Sequence, residues 1–128
     1  MNKKEAIQHS FRHAFDGLSH FFKFERNSIV HLIISVLVII LGFLLKISLV
    51  EWGLIIITIA LVLGSELLNT AVEKACDKIQ PEFDPSIKVI KDLAAGSVLI
   101  FAIASIILGI LIFLPPLIRF IGNWFFYR

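Results

Sequence analysis

Apolar residues gather in three long runs, Ile29 to Leu45, Trp52 to about Ala75 and Leu93 to about Ile118. Each approaches or exceeds the roughly 20 residues that a helix needs to cross a bilayer. Strands are no alternative, because three of them cannot close a barrel in lipid. The pattern therefore predicts an all-α membrane protein. The connection Lys46 to Glu51 has room only for a tight helical hairpin. Pro81, Pro85 and their polar neighbours break the chain between the second and third runs, and Pro115-Pro116 is expected to terminate or kink the third. Trp124 and Tyr127 beyond it read as interfacial anchors.

Ahead of the first run the period changes. Ile7, Phe11, Ala14, Phe15, Leu18 and Phe22 recur at helical spacing, while Lys4, Gln8, Arg12 and Asp16 take another face. A surface helix over about residues 4–24, flat on one leaflet, is the expectation. Of the 12 Lys and Arg, nine fall before the first span or around the second loop; only Lys46, Arg119 and Arg128 lie on the other side. That bias puts the N-terminus and the second loop in the cytoplasm of a cell (inner) membrane.

Composition agrees with this plan and narrows it. The 128 residues are 58% hydrophobic with mean hydropathy +0.91, and their length supports one unit spanning 1–128. The net charge of +2 is small, and with no long basic block no nucleic-acid partner is expected. Met1 to Ser10 is polar, so no cleavable signal peptide is expected. Cys76 is the sole cysteine, which rules out an intrachain disulfide and a Cys-cluster metal site.

Chemistry concentrates where polar groups invade the second span. With about 100° per residue and Glu66 as zero, Asn69 falls near −60°, Thr70 near +40°, Glu73 near −20° and Asp77 near +20°. All five share one face, and a rise of about 1.5 Å per residue carries Asp77 some 16 Å beyond Glu66, from lipid depth into cytoplasm. A carboxylate within a span costs roughly 3 kcal/mol by insertion scales, so Glu66 is a functional candidate by default. Glu25 stands just before the first span on the same side, and with Glu73 it could offer hard oxygen ligands to Mg²⁺. Lys91 opens the third span as a point charge for phosphate, and the small residues Ala94 to Ser97, Ala102, Ser105 and Gly109 would permit close helix contact. His9 and His13 are four apart but have no third ligand in sequence, so they read as interfacial polar groups rather than a zinc site. Walker, zincin and nucleophile-elbow motifs are absent from the sequence.

The run Glu66-x-x-Asn69-Thr70-Ala71-x-Glu73-x-x-x-Asp77, with Lys91-Asp92-x-Ala94-Ala95-Gly96-x-Val98-Leu99 fourteen residues on, resembles the bacterial membrane diacylglycerol kinase and undecaprenol kinase family. The resemblance covers essentially the whole chain. It implies a homotrimer of three-span subunits with active sites between subunits, transferring the ATP γ-phosphate to a lipid hydroxyl with Mg²⁺ as cofactor. By position, Glu66 resembles the family's catalytic general base, and Glu66 and Asn69 its substrate-binding residues. Glu25 and Glu73 resemble its metal ligands, with Asp77 in support. Nucleotide contacts are implied for His13, Glu25, Glu73, Glu82, Phe83, Asp84, Lys91 and Asp92. Ser97 stands where Ala is more usual. The Asn69-Thr70 pair and the short N-terminus look more like the undecaprenol branch, with diacylglycerol the alternative lipid. A small channel or transporter subunit is the non-enzymatic alternative, but it calls for charges near the bilayer midplane and access from both faces.

Overall fold

The computed structural model describes residues 2–126, with the side chains of 2 and 5–122. Four helices follow in order: α1 (Lys3–Phe24), α2 (Arg26–Leu45), α3 (Leu49–Ile79) and α4 (Pro85–Phe126). No strand occurs among the described residues. Three helices, α2, α3 and Pro85–Gly122 of α4, are long and apolar enough to cross a membrane. The anchor residues Trp124 and Tyr127 and the cations Lys3, Lys4 and Arg128 lie outside the described side chains.

Capping chemistry moves several helix ends away from the edges of the apolar runs. Ser48 precedes α3, its Oγ accepting from the Glu51 amide (3.3 Å) while its own amide donates to Glu51 Oε2 (2.6 Å). This reciprocal pair lets α3 begin at Leu49, three residues before the apolar run at Trp52. At the other loop Asp84 Oδ1 accepts from the amides of Ser86 (2.7 Å) and Ile87 (3.1 Å), and Pro85 takes the first helical position, where its missing N–H costs nothing. Pro85 thus starts a helix, and α4 begins eight residues before Leu93.

Pro115-Pro116 does not end the third span: α4 continues through both to Phe126. Each proline removes only one ladder hydrogen bond, and in an apolar stretch the remaining backbone groups have no better partner than the helix itself.

The α2–α3 hairpin turns on Lys46 in the left-handed region (φ 54°, ψ 49°), with the Ile47 amide donating to the Gly42 carbonyl at 3.2 Å. A residue with a Cβ there carries a strain of about 1 kcal/mol, which the bond back to Gly42 helps offset. Beneath the turn Trp52 lies against α2 so closely that a Cβ on Gly42 would stand 2.9 Å from its Cη2. The Phe43 and Trp52 rings flank the contact with centroids 4.8 Å apart. The core sits at this end of the bundle, where Ile55, Ile112 and Phe113 pack with Val38, Leu41 and Leu45.

α4 packs most extensively against α3. Its small residues do not all serve that contact, since a Cβ added to Gly96 or Gly109 would meet nothing within 4 Å. Ser97 and Ser105 spend their hydroxyls on the carbonyls of Ala94 (2.7 Å) and Ala102 (2.8 Å) in their own helix.

α1 is helical over the expected stretch, with Ile7, Phe11, Phe15 and Leu18 exposed and Phe21 buried. It joins α2 through the one extended residue Glu25 (φ −101°, ψ 117°). Ser28, fully buried, locks the joint: its hydroxyl lies 2.6 Å from the Glu25 carbonyl and 3.0 Å from that of Phe21.

Candidate functional site

α3 has 31 residues and so runs about 46 Å, some 16 Å more than the ~30 Å hydrocarbon thickness. That excess length gives the polar stripe its gradient of burial. Glu66 is 5% exposed, Asn69, Thr70 and Glu73 are half-buried, and Asp77 is exposed.

A buried carboxylate needs a donor, and Glu66 has one. Its Oε1 lies 3.0 Å from Nε2 of His31, which reaches it from α2. The contact sets an imidazole nitrogen where, carrying its proton, it donates to a carboxylate oxygen. Sequence reasoning placed His31 inside the first span without giving it a role. The available signal was a titratable group within an otherwise apolar run, but nothing local announces a partner 35 residues away.

One turn further along α3, Asn69 Nδ2 donates to Glu73 Oε1 at 3.3 Å. Asn69 Oδ1 is buried and has no hydrogen-bond partner among the described residues. A polar atom in that condition costs about 1–3 kcal/mol unless something fills its acceptor site. Glu25 reaches the same region differently: Lys74, which follows Glu73, pairs with Glu25 Oε1 at 2.8 Å. The joint between α1 and α2 is thereby tied to the turn of α3 that carries Glu73. Among the described residues no three His, Cys, Asp or Glu side chains converge into a ready-made metal cage.

Beyond α3 a cleft of about 450 Å³ gathers Asp77, Glu82, Phe83, Asp84, Lys91 and Asp92. These six come from three separate stretches of sequence, and the α3–α4 turn folds them around one space. Lys91 Nζ pairs with Asp77 Oδ1 at 2.9 Å, and Lys88, also on the wall, pairs with Asp92. Four carboxylates thus face two ammonium groups, and both of the latter are engaged. Asp84 has a job the sequence did not suggest, capping α4. Phe83 projects into solvent, 82% exposed. His13 does not line this cleft; its Nε2 is 2.9 Å from Nδ1 of His9 on the exposed α1.

A second cavity, of about 240 Å³, lies among α2, α3 and α4. His31 is the one titratable group on its wall, amid Ile34, Val38, Ile59, Ser105 and Phe113.

Residues 12–113 match the family described as prokaryotic diacylglycerol kinase. The undecaprenol kinase of Bacillus subtilis is 44% identical over 108 residues, 84% of this chain and 88% of the relative. A diacylglycerol kinase of Synechocystis is 39% identical over 110 residues, 85% of this chain and 63% of the relative. One from Helicobacter pylori is 38% identical over 68 residues, 53% of each chain. The match takes in α2, α3 and α4 as far as Phe113, with every acidic residue of the α3 stripe, and the chain therefore belongs to the prokaryotic diacylglycerol kinase family.

Proposed function

We propose that this protein is an ATP- and Mg²⁺-dependent integral membrane kinase that phosphorylates the hydroxyl of undecaprenol, or else diacylglycerol, at the cytoplasmic face. The observation that carries the reading is Glu66: a buried, hydrogen-bonded carboxylate one turn from the Asn69–Glu73 pair, within a helix long enough to leave the bilayer. A base at that depth meets a lipid hydroxyl at headgroup level, while nucleotide arrives from the polar end. Undecaprenol is preferred because the Bacillus subtilis relative of that name aligns over 88% of its own length. Diacylglycerol stays the second reading on the Synechocystis and Helicobacter pylori relatives.

The donor set suits a hard cation. Glu73 and Glu25 supply carboxylate oxygens, the orphaned Asn69 Oδ1 adds a neutral one, and Mg²⁺ ordinarily takes only one or two carboxylates, completing its shell with water and phosphate. When bound, the ion would neutralise charge spreading over the transferred phosphoryl group. An acidic cleft also suits a nucleotide that arrives with its cation better than a bare polyphosphate. Glu66 accepts the proton as the lipid oxygen attacks the γ-phosphorus, and Asn69 and Asp77 hold the neighbouring charged groups in place. Lys91 and Asp92, with Glu82, Phe83 and Asp84 across the cleft, form the proposed nucleotide surround; His13, outside that cleft on α1, is left out of it.

Self-association as a homotrimer is part of the proposal. The exposed apolar faces of α2 and α4 and the uncrowded Gly96 and Gly109 leave room for another subunit. α1, with Phe11 and Phe15 outward, would rest on the cytoplasmic leaflet.

Transfer of label from γ-labelled ATP into a chloroform-soluble product tests the activity. Undecaprenol and diacylglycerol in the same micelle rank the substrates, and chelation of Mg²⁺ is expected to abolish transfer from either. Failure to label any lipid would sink the reading.

Topology has its own test. Asp84 caps α4, so the reporter belongs at Glu82, which is exposed on the same cleft. Glu82→Cys in a Cys76→Ala background is expected to react with impermeant maleimide only in inverted vesicles, and saturating MgATP is expected to slow the reaction. Labelling in right-side-out vesicles would reverse the orientation and cut the site off from cellular ATP.

A further inference from the structure

We infer that His31 is a positioning residue for the transfer, holding Glu66 in the one orientation that presents a free carboxylate oxygen to the lipid hydroxyl. The inference rests on reading Glu66 as the base.

His31 sits on α2, five residues past its start, and its Nε2 meets Glu66 Oε1 at 3.0 Å. A glutamate has three side-chain torsions, and one at a helix surface samples several of them. The contact from a neighbouring helix removes that freedom. Because an ionised carboxylate has no proton to give, the imidazole must donate from Nε2, and Oε1 is then occupied. Oε2 remains as the acceptor for an incoming hydroxyl. During transfer the lipid O–H bond breaks and an O–H bond forms at Oε2. The lipid oxygen bonds to the γ-phosphorus as the bond to the ADP oxygen breaks, and Glu66 later releases the proton to water. His31 holds its own proton throughout.

Among the described residues no other charged group pairs with the ring. The remainder of the cavity wall beside it, contributed by α2, α3 and α4, is aliphatic, aromatic, glycine or hydroxyl-bearing. The backbone is also held, with Ser35 Oγ donating to the His31 carbonyl at 2.7 Å. What sets this histidine apart within its apolar run is the ring contact to a buried carboxylate on a neighbouring helix.

The test compares His31→Leu, which removes the donor, with His31→Gln, which can restore an N–H, in the full-length protein reconstituted in bilayers. His31→Leu is expected to lower kcat by about 10- to 100-fold, with KM for MgATP and for lipid within about threefold of the parent; this is the size of a lost hydrogen bond to a charged group. His31→Gln is expected to recover kcat to within about fivefold. In a Glu66→Gln background His31→Leu is expected to add less than about a twofold loss, since both act through one group. Turnover of His31→Leu near the parent's, with Glu66→Gln inactive, would overturn this inference alone. Parent-like turnover of Glu66→Gln would instead overturn the reading beneath it. Equal losses in His31→Leu and His31→Gln, or losses that multiply in the double variant, would also overturn the positioning role.

Should His31→Leu fail to assemble, ¹⁵N-histidine spectra of the parent decide the matter. His31, identified by the signal missing from His31→Gln, is expected to carry its proton on Nε2 and to shift in Glu66→Gln. A bare Nε2, or no shift, overturns the inference.

Discussion

Glu66→Gln is expected to lower turnover by about 10²-fold or more while assembly and MgATP binding stay near those of the parent, because a general base typically contributes 10²–10⁴-fold. The substitution suits the site. Gln keeps the length and an acceptor oxygen for His31 Nε2, so the 3.0 Å contact between α2 and α3 has a direct replacement. What disappears is the capacity to take a proton. Single-turnover transfer of labelled phosphate, with equilibrium nucleotide binding measured alongside, separates these effects. Turnover within a few fold of the parent would remove Glu66 from the chemistry.

The second large effect concerns the metal. Glu73→Ala and Glu25→Ala are each expected to raise the Mg²⁺ concentration for half-maximal activity by about tenfold or more, roughly 1.4 kcal/mol for each hard ligand lost. The two are not equivalent. Glu73 is held by Asn69 at 3.3 Å, so its removal also strands the Asn69 amide, whereas Glu25 is paired at 2.8 Å with the half-exposed Lys74 and must exchange that partner for the cation. Glu73→Ala is therefore expected to cost more, in folding as well as in metal dependence. A titration of activity against free Mg²⁺ at saturating ATP reads both, and unchanged half-saturation in the two variants would place the metal elsewhere.

The spans were legible because bilayer depth is written directly in hydropathy: Ile29–Leu45 lies wholly within α2, and the other two runs within α3 and α4. The helix ends were not. They depend on reciprocal capping at Ser48 and Glu51, on Asp84 before Pro85, and on backbone tolerance at Pro115-Pro116, none of which hydropathy encodes. The stripe from Glu66 to Asp77 was readable from spacing because all of it rides on one helix. The contacts His31–Glu66, Lys74–Glu25 and Lys91–Asp77 join different elements, and a single sequence gives no pairing between residues so far apart. For Asp84 the acidic residue was noticed and its structural duty was not, since a carboxylate before a proline suits a cap and a ligand equally.

Gly42 and His31 lie on the same helix, eleven residues and so about 16 Å apart. α2 acts between them as a rigid lever, seated against the Trp52 ring at one end and touching Glu66 at the other. There is no slack at the seat, where even a methyl group would have to displace the indole, and little at the far end, where 3.0 Å can stretch only a few tenths of an ångström before the hydrogen bond weakens. A wedge at position 42 is therefore expected to tilt the rod and be felt at the carboxylate. Gly42→Ala is expected to cost turnover at temperatures where the fold is still intact, which a melting curve run beside the kinase assay would reveal. A loss confined to turnover would show that the hairpin tip sets how closely His31 and Glu66 meet at the other end of α2.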